Sequence, residues 1–373
     1  MKHKFLWLSL VLLAGLASAA WAQASAQVVE VLEGLDPVLL VQGKEAQGDL
    51  KLSVTRGQFR YLFANEANKA AFEKDPARYE IQLGGACARM GAPANGIADL
   101  YTVYQGRIYI FGSGQCKTAF VAAPEKYLPP ENKPMHATPE MLKKGQALLE
   151  KAVAAMGGAT KIDGLASYHE KSVTTQTRGQ RGEVQVKNGL WAVFPDRVRW
   201  EVEAPDFNDP SVMRRNTMVL AREQFVINSV GKAFPLNGPQ LAVQQQQVQY
   251  KPLLLLRARA GLNASYLGAG KAGETAVEQV MIELPGVPTT LSIDAASGRL
   301  LSLSYNRRGP QGTFGEFVQT FSDFRAVDGV TLPFQINATV DGQPWKDQSF
   351  VIEAITLNDK VDAKLFEKPQ EKQ

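Results

Sequence analysis

The stretch from Tyr61 to Tyr79, YLFANEANKAAFEKDPARY, aligns without gaps on Tyr109 to Tyr127, YIFGSGQCKTAFVAAPEKY. Self-similarity of this length commits part of the chain to one small supersecondary unit built twice. Each copy opens with a short apolar run, turns at Asn65 or Ser113, and continues into a segment carrying Phe72 or Phe120. Asn and Ser accept hydrogen bonds from the orphan N–H groups of a first helical turn, so a helix is predicted to begin at each. Each helix should stop before Pro76 or Pro124, because proline has no N–H to give to the helical ladder. An aromatic-rich run precedes each copy, with Gly57 or Gly106 placed as its hairpin turn. The predicted unit is a β-hairpin followed by a helix, present twice within residues 35–127.

Phe63, Phe72, Asp75, Pro76 and Tyr79 in copy one, and Phe111, Ser113, Cys116, Phe120, Pro124 and Tyr127 in copy two, keep a common frame. That frame resembles the YHS domain, whose pattern joins a strand ending in Phe, a Cys-Ser-x-x-Cys turn, a helical Phe and an Asp-Pro-x-x-Tyr close. The opening Leu35-Asp36-Pro37-Val38 is similar to the start of that family. In metal-binding relatives the position of Cys116 is a ligand, and so is the residue four before it. Here that earlier position is Gly112, and copy one has Ala64 and Asn68 at the two places.

Residues 128–137, LPPENKPMHA, form a Pro-rich polar stretch without periodicity and are the linker candidate. Beyond them, Thr138 and Pro139 start a helix in which Met141, Leu142, Leu148, Leu149, Ala152, Val153 and Met156 recur at helical spacing before Gly157-Gly158. Most of the remaining chain reads as strands. Val198, Trp200 and Val202 alternate with Arg197, Arg199, Glu201 and Glu203, and Leu301, Leu303 and Tyr305 alternate with Ser302 and Ser304. One face of each strand is meant for a core and the other for water. Asn188-Gly189, Ser297-Gly298, Asp328-Gly329 and Asp341-Gly342 are placed as hairpin turns. The pattern predicts one antiparallel sheet of about ten strands over residues 138–370, too large to stay flat, with an inserted region at about 238–262.

This layout, with its strings FPDRVRWEVE, LSIDAASGRLLSLSY and DGVTLPFQI, is similar to the lipoprotein-carrier (LolA-like) superfamily. The resemblance implies an α+β chain: a small duplicated ββα domain, then a long curved sheet forming an unclosed barrel, with helices covering the open side and an apolar cavity between. Within the insert, Leu253 to Leu256 put apolar surface on every side of one helical turn, so that segment should be buried on more than one face. It serves as a plug for the sheet or as a lid over the cavity, and the two roles are compatible. Gln244 to Gln247 place amides all round a turn, which suits exposure to solvent.

The first 22 residues read as a cleavable signal peptide: Lys2 and Lys4, an apolar run from Phe5 to Ala17, and Ala20-Trp21-Ala22 before Gln23. The apolar run is well short of the ~20 residues of a spanning helix, so the mature protein is not expected to span a membrane. Loss of the two lysines takes the formal charge from +4 to +2, leaving no concentrated basic face for nucleic acid. Arg214-Arg215 and Arg307-Arg308 border predicted turns and suit solvated surface charge.

Two cysteines are present, Cys87 and Cys116. An even count in an exported chain favours a structural disulfide; a two-thiolate contact to copper(I) or another soft metal, and a pair of free buried thiols, stay open. Three or four thiolate or imidazole ligands make a tight site for such metals, and His136 and His169 fall outside the duplicated segment. No Gly-x-Ser-x-Gly elbow or His-Glu-x-x-His helix is present, and His169 lies in a strand-like run. Gly268 to Gly273 has dinucleotide-loop spacing in the wrong context and is expected to be a flexible turn.

These observations point to a periplasmic binding or carrier protein, not an enzyme, with no cofactor. A hydrophobic small molecule or acyl chain, of a lipid or lipoprotein, would lie on the concave face against Trp200, Val202, Leu254, Leu255, Leu301, Leu303 and Tyr305. An envelope protein would be its other partner. The alternative is metal handling or redox chemistry through Cys87 and Cys116.

Overall fold

A computed structural model describes residues 28–130, 135, 137–178, 182–206, 208–236, 238–284 and 287–369. The predicted leader, its cleavage site and His136 lie outside the described residues. The chain forms two compact units, one running through Lys74 and the other starting at Asp75. The division falls inside the duplicated segment; residues 131–134 and 136 of the linker candidate lie outside the described residues.

In the first unit β1 (Val29–Glu30), α1 (Pro37–Val41), β2 (Asp49–Arg56), β3 (Phe59–Phe63) and α2 (Glu66–Lys74) come in order. Strand β3 is central, parallel to β1 and antiparallel to β2. Gly57 turns the hairpin at φ 58°, and Asn65 Oδ1 accepts from the Asn68 N–H at 2.9 Å, capping α2. Phe72 is fully buried, with its ring 4.9 Å from Tyr61 and 5.2 Å from Phe63.

The second unit opens with α3 (Pro76–Tyr79), β4 (Ala86–Cys87), β5 (Gly91–Asn95), β6 (Ile97–Tyr104), β7 (Arg107–Phe111) and α4 (Gly114–Ala122). The second copy repeats the first closely. Gly106 turns its hairpin at φ 68°, Ser113 Oγ accepts from the Cys116 N–H at 3.3 Å, and Phe120 lies 5.3 Å from Tyr109 and 5.2 Å from Phe111.

The duplication reaches further upstream than the gapless alignment. Leu32, Glu33 and Gly34 have φ of 63°, 55° and 75°, and Leu83, Gly84 and Gly85 repeat this left-handed turn at 56°, 60° and 87°. Gly48 N–H then donates to Gly34 O, and Gly96 N–H to Gly85 O, both at 2.9 Å. A Cβ at Gly48 would meet Leu62 at 2.4 Å, and one at Gly96 would meet Ile110 at 2.3 Å, so both approaches require glycine. Copy one inserts α1 between its turn and hairpin where copy two has the shorter β4–β5 ribbon, which hides the upstream match from sequence.

Helices α5 (Pro139–Met156) and α6 (Ala159–Asp163) lead into β8 (Ser167–Thr177), β9 (Glu183–Val193), β10 (Arg197–Pro205), β11 (Met213–Leu220), β12 (Gln224–Ile227) and β13 (Ala233–Pro235). The insert supplies α7 (Gly238–Gln249) and α8 (Pro252–Arg257). Then come β14 (Ala264–Ala272), β15 (Thr275–Leu284), β16 (Val287–Asp294), β17 (Leu300–Arg308), β18 (Phe314–Val327), β19 (Val330–Val340), β20 (Gln343–Pro344) and β21 (Phe350–Leu357). They make one 14-stranded sheet, ordered β13-β12-β11-β10-β9-β8-β21-β19-β18-β17-β16-β15-β14, with β20 beside β19. Every pairing in it is antiparallel. The last strand, β21, inserts between β8 and β19, while β13 and β14 remain unjoined ends. The predicted α+β architecture with a large unclosed sheet is therefore present.

Thr138 Oγ1 caps α5 by accepting from the Met141 N–H at 3.2 Å, and Gly157 ends the helix at φ 139°. Leu148, Leu149, Ala152, Val153 and Met156 on α5 join Leu253, Leu255 and Leu256 of α8 in one apolar core with β15 to β19. Each buried Leu, Val or Met among them stabilises the fold by roughly 1.5–3 kcal/mol relative to exposure. The half of the sheet from β14 to β19 is thereby filled.

Several sequence expectations are corrected. Among the described residues the sheet has fourteen strands, not about ten, because short strands such as β12, β13 and β20 carry too few residues to show alternation. Asn188-Gly189 lies inside β9, and Gly268 to Ala272 runs within β14, where a register shift between Tyr266 and Gly268 absorbs the glycines. Arg214 and Arg215, by contrast, are exposed beside a turn as expected, at the start of β11, and ion-pair with Asp206 and Glu203 at 2.8 Å each. Among the described residues no helix is long and apolar enough to cross a membrane.

Candidate functional site

Strand β8 sends Tyr168, Glu170, Ser172 and Thr174 to its buried face, all under 5% exposed. A central strand with so polar an inner face cannot pack like an ordinary core strand, and each group needs a partner. Glu170 is bonded by Lys251 Nζ at 2.7 Å, Tyr168 Oη at 2.5 Å and Ser172 Oγ at 3.2 Å. Lys251, just before α8, also lies over the Phe350 ring at 4.4 Å and the Trp200 ring at 5.4 Å. Burial, followed by the Glu170 charge, pushes the Tyr168 hydroxyl well above its usual range, so it stays a proton donor. The pair fastens α8 to the sheet, and removal of one partner would cost about 3–5 kcal/mol.

Helix α7 covers the β8–β13 half without filling it. A pocket of about 260 Å³ opens on one side, lined by Asn188, Trp200, Val202, Met218 and Phe350 from the sheet and by Gln244 and Gln247 from α7. A second of about 410 Å³ lies on the other side, lined by Phe194, Val198, Leu220, Val248, Leu254 and Arg257 among others. The first is amide-rich: Trp200 Nε1 donates to Asn188 Oδ1 at 3.4 Å, and Asn188 Nδ2 donates to Val186 O at 3.2 Å. The second is mainly apolar. Helix α7 also rests against β5 and the segment Gln82–Gly85 of the second copy.

The predicted ligand residues divide accordingly. Trp200 and Val202 line the first pocket and Leu254 the second. Leu255, Leu303 and Tyr305 are buried in the packed core; Tyr305 reaches only a crevice of about 20 Å³. Leu301 is corrected: the β16–β17 register shifts at Ser292/Ile293, Leu300 enters the core, and Leu301 is half-buried outside it. The run Gln244–Gln247 is half-buried at the pockets and not a solvated turn. Sequence reasoning missed Glu170, Lys251, Asn188 and Met218. The alternation of Tyr168, Glu170, Ser172 and Thr174 against His169, Lys171 and Val173 was the available signal, since neither face of that strand is apolar. His169 stacks on Trp191 at 4.4 Å, and burial lowers its pKa.

In the second copy Cys87 and Cys116 are free thiols, both buried, so the predicted disulfide is not formed in this structure. They share one buried cluster with Phe111 and Phe120. Arg89 Nη1 approaches Cys116 Sγ at 3.9 Å, and Arg89 Nε is buried without a partner. Burial raises the Cys116 thiol, but hydrogen bonds from Ser113, Arg89 and Cys87 outweigh it and leave the pKa below the usual value. Arg308 at the end of β17 is no surface charge. It donates to Arg89 O at 2.7 Å, Gly312 O at 2.6 Å and Tyr127 O at 2.8 Å, and burial lowers its pKa to about 10 against an opposing effect of Cys87. No group of three or more His, Cys, Asp or Glu able to hold a metal occurs among the described residues.

The YHS domain family matches residues 91–131, which hold the hairpin and helix of the second copy and run four residues beyond Tyr127. No curated protein matches the chain. Among solved structures, the chain is similar to a putative outer membrane lipoprotein-sorting protein domain from Vibrio parahaemolyticus, at 9% identity and TM-score 0.41, over 61% of this chain and 97% of that one. It is similar to a DUF1329 family protein from Desulfovibrio piger, at 11% identity and TM-score 0.42, with 61% and 97% covered. A LolA superfamily protein from Nitrosomonas europaea gives 13% identity and TM-score 0.42, with 60% and 97% covered.

Proposed function

We propose that this is an exported periplasmic carrier that holds an acyl chain or similar apolar ligand under α7, and that it binds without catalysing a reaction. The observation that carries this reading is the unequal filling of the sheet's helix-covered face: α5 and α8 pack over one half, and α7 leaves pockets of about 260 and 410 Å³ over the other. The larger falls within the range of roughly 300–1,000 Å³ common for small-molecule sites. Each ligand methylene buried there is worth about 0.8 kcal/mol, so the apolar walls alone can supply useful affinity. The amide-lined pocket across α7 suits the polar end of such a ligand. Glu170 is engaged by Lys251, Tyr168 and Ser172, an arrangement that supports a structural part for it. Location in the periplasm rests on the leader-like first 22 residues.

Titration of the full chain with a dansyl-tagged medium-chain fatty acid tests the proposal. Saturable binding is expected, displaced by unlabelled hexadecanoate. Leu254→Glu should weaken it about tenfold or more, equivalent to 1.4 kcal/mol or above, because Leu254 is only half-buried and faces a pocket. Absence of saturable binding, or equal binding by Leu254→Glu with unchanged circular dichroism, overturns the reading. Metal handling through the cysteines is the less favoured function, because Arg89 and Arg308 put two positive charges beside the thiols and oppose a cation there.

A further inference from the structure

We infer that Cys116 and Cys87 form a reactive dithiol, in which Cys116 attacks small disulfides first and Cys87 then resolves the adduct into an intramolecular disulfide. The duplication supplies the geometric argument. The left-handed turns align Leu35 with Ala86 and therefore Asp36 with Cys87, while the hairpin–helix segments align Asn68 with Cys116. In copy one those two positions bring side chains into direct contact: Asn68 Nδ2 donates to Asp36 Oδ2 at 2.7 Å. Copy two puts a thiol at each of the same positions. Position 112, the counterpart of Ala64, borders the pair: a Cβ there would lie in ordinary contact with Cys87 Sγ at 3.9 Å.

The surroundings assign an order to the two thiols. Cys116 sits in the first turn of the nine-residue helix α4, retains 8% exposure and has Arg89 Nη1 beside it. Cys87 is completely buried, so an outside disulfide reaches Cys116 and not Cys87. The Cys116 thiolate attacks one sulfur of an oxidised dithiol or glutathione-type disulfide, forming a mixed disulfide and releasing one thiolate. Cys87 gives its proton to that released thiolate and attacks Cys116 Sγ, which expels the second. Two protein thiols are oxidised by two electrons and the small disulfide is reduced to two thiols. Arg89 is a positioning residue that favours the thiolate form of Cys116.

Full-length protein, reduced and then exposed to glutathione disulfide under native conditions, gives the test by intact mass after alkylation. Wild type should lose both thiols together without a lasting adduct. Cys87→Ser should accumulate a mixed glutathione disulfide at Cys116, and Cys116→Ser should stay unmodified. Arg89→Gln should slow the wild-type reaction several-fold and shift its pH profile upward, with Arg89→Lys restoring much of the rate. The inference fails if Cys116→Ser reacts as fast as Cys87→Ser, if wild type retains both thiols or a stable adduct, or if Arg89→Gln leaves the pH profile unchanged. All four variants remain readable by circular dichroism, and fatty-acid binding under α7 is a separate readout that this result does not decide.

Discussion

The two copies of the ββα unit share a backbone and differ in what they place at its centre. Copy one closes around Asp36, a fully buried carboxylate that accepts from Val38 N–H at 2.8 Å, Leu39 N–H at 3.2 Å, Ala64 N–H at 2.8 Å and Asn68 Nδ2 at 2.7 Å. Copy two has Cys87 and Cys116 there, beside Arg89. The aromatic cluster is common to both: Phe72 and Phe120 meet their strand partners at distances that agree within 0.4 Å, from 4.9 against 5.3 Å and 5.2 against 5.2 Å. The fold is thus held by the aromatic cluster, and the paired central positions accept either a hydrogen-bonded polar pair or two thiols. A scaffold indifferent to its filling leaves that filling free to carry chemistry.

The largest effect tests what the copies share. Phe72→Ala and Phe120→Ala should each cost about 3–5 kcal/mol locally, read as lost hydrogen-exchange protection of β3 in the first variant and β7 in the second. A copy that hardly responds would break the comparison, because its hairpin would then be held by something other than the ring cluster.

The next effect tests where the copies differ. Asp36→Ala orphans four donors, each costing about 1–3 kcal/mol when buried without a partner, so a loss of roughly 3 kcal/mol or more is expected in the protection of β3. Cys87→Ala removes one sulfur and no obligatory acceptor, and about 1 kcal/mol or less should be lost from β7. If the two costs are equal, Cys87 is as structural as Asp36 and the free thiols are only packing.

Much of this comparison was legible in the sequence, and the limits have physical causes. Caps at Asn65, Ser113 and Thr138, stops before Pro76 and Pro124, and the hairpin glycines 57 and 106 act over a few residues, and those residues carry them openly. The upstream half of the duplication was hidden by an insertion, α1, and by a left-handed turn whose conformation Leu32 and Leu83 do not advertise. The strands were readable where they alternate cleanly, as in β10, but the water-facing side expected there is not found, since all nine residues of β10 are half-buried, and a register shift reset the alternation at Leu300-Leu301. The pockets were the least legible part, since they are made by what α7 fails to fill. Arg308 shows the same limit: as one of a pair of arginines near a turn it looks solvated, and only the approach of the Arg89 and Tyr127 carbonyls makes it a half-buried clamp.

The smallest effect separates stability from chemistry at the caps. Asn65→Ala and Ser113→Ala each remove a side-chain acceptor from a helix start, the first bonded to Asn68 N–H and the second to Cys116 N–H. Each should cost about 1 kcal/mol, seen as matching losses of protection in α2 and α4. Only the second should alter a reaction rate. Burial raises the Cys116 thiol, while Ser113, Arg89 and Cys87 lower it through hydrogen bonds and leave the balance below the usual value. Removing Ser113 deletes one lowering contribution and keeps the burial, so the thiol pKa moves up and the thiolate fraction at neutral pH falls. Alkylation by iodoacetamide at pH 7 should therefore slow several-fold in Ser113→Ala and converge on the wild-type rate at pH values above both pKa values, where either protein is fully thiolate. Asn65→Ala should match wild type throughout. Slowing that persists unchanged at high pH would mean that access to Cys116 has changed and not its acidity, and the cap of copy two would then be no more than the structural counterpart of the cap in copy one.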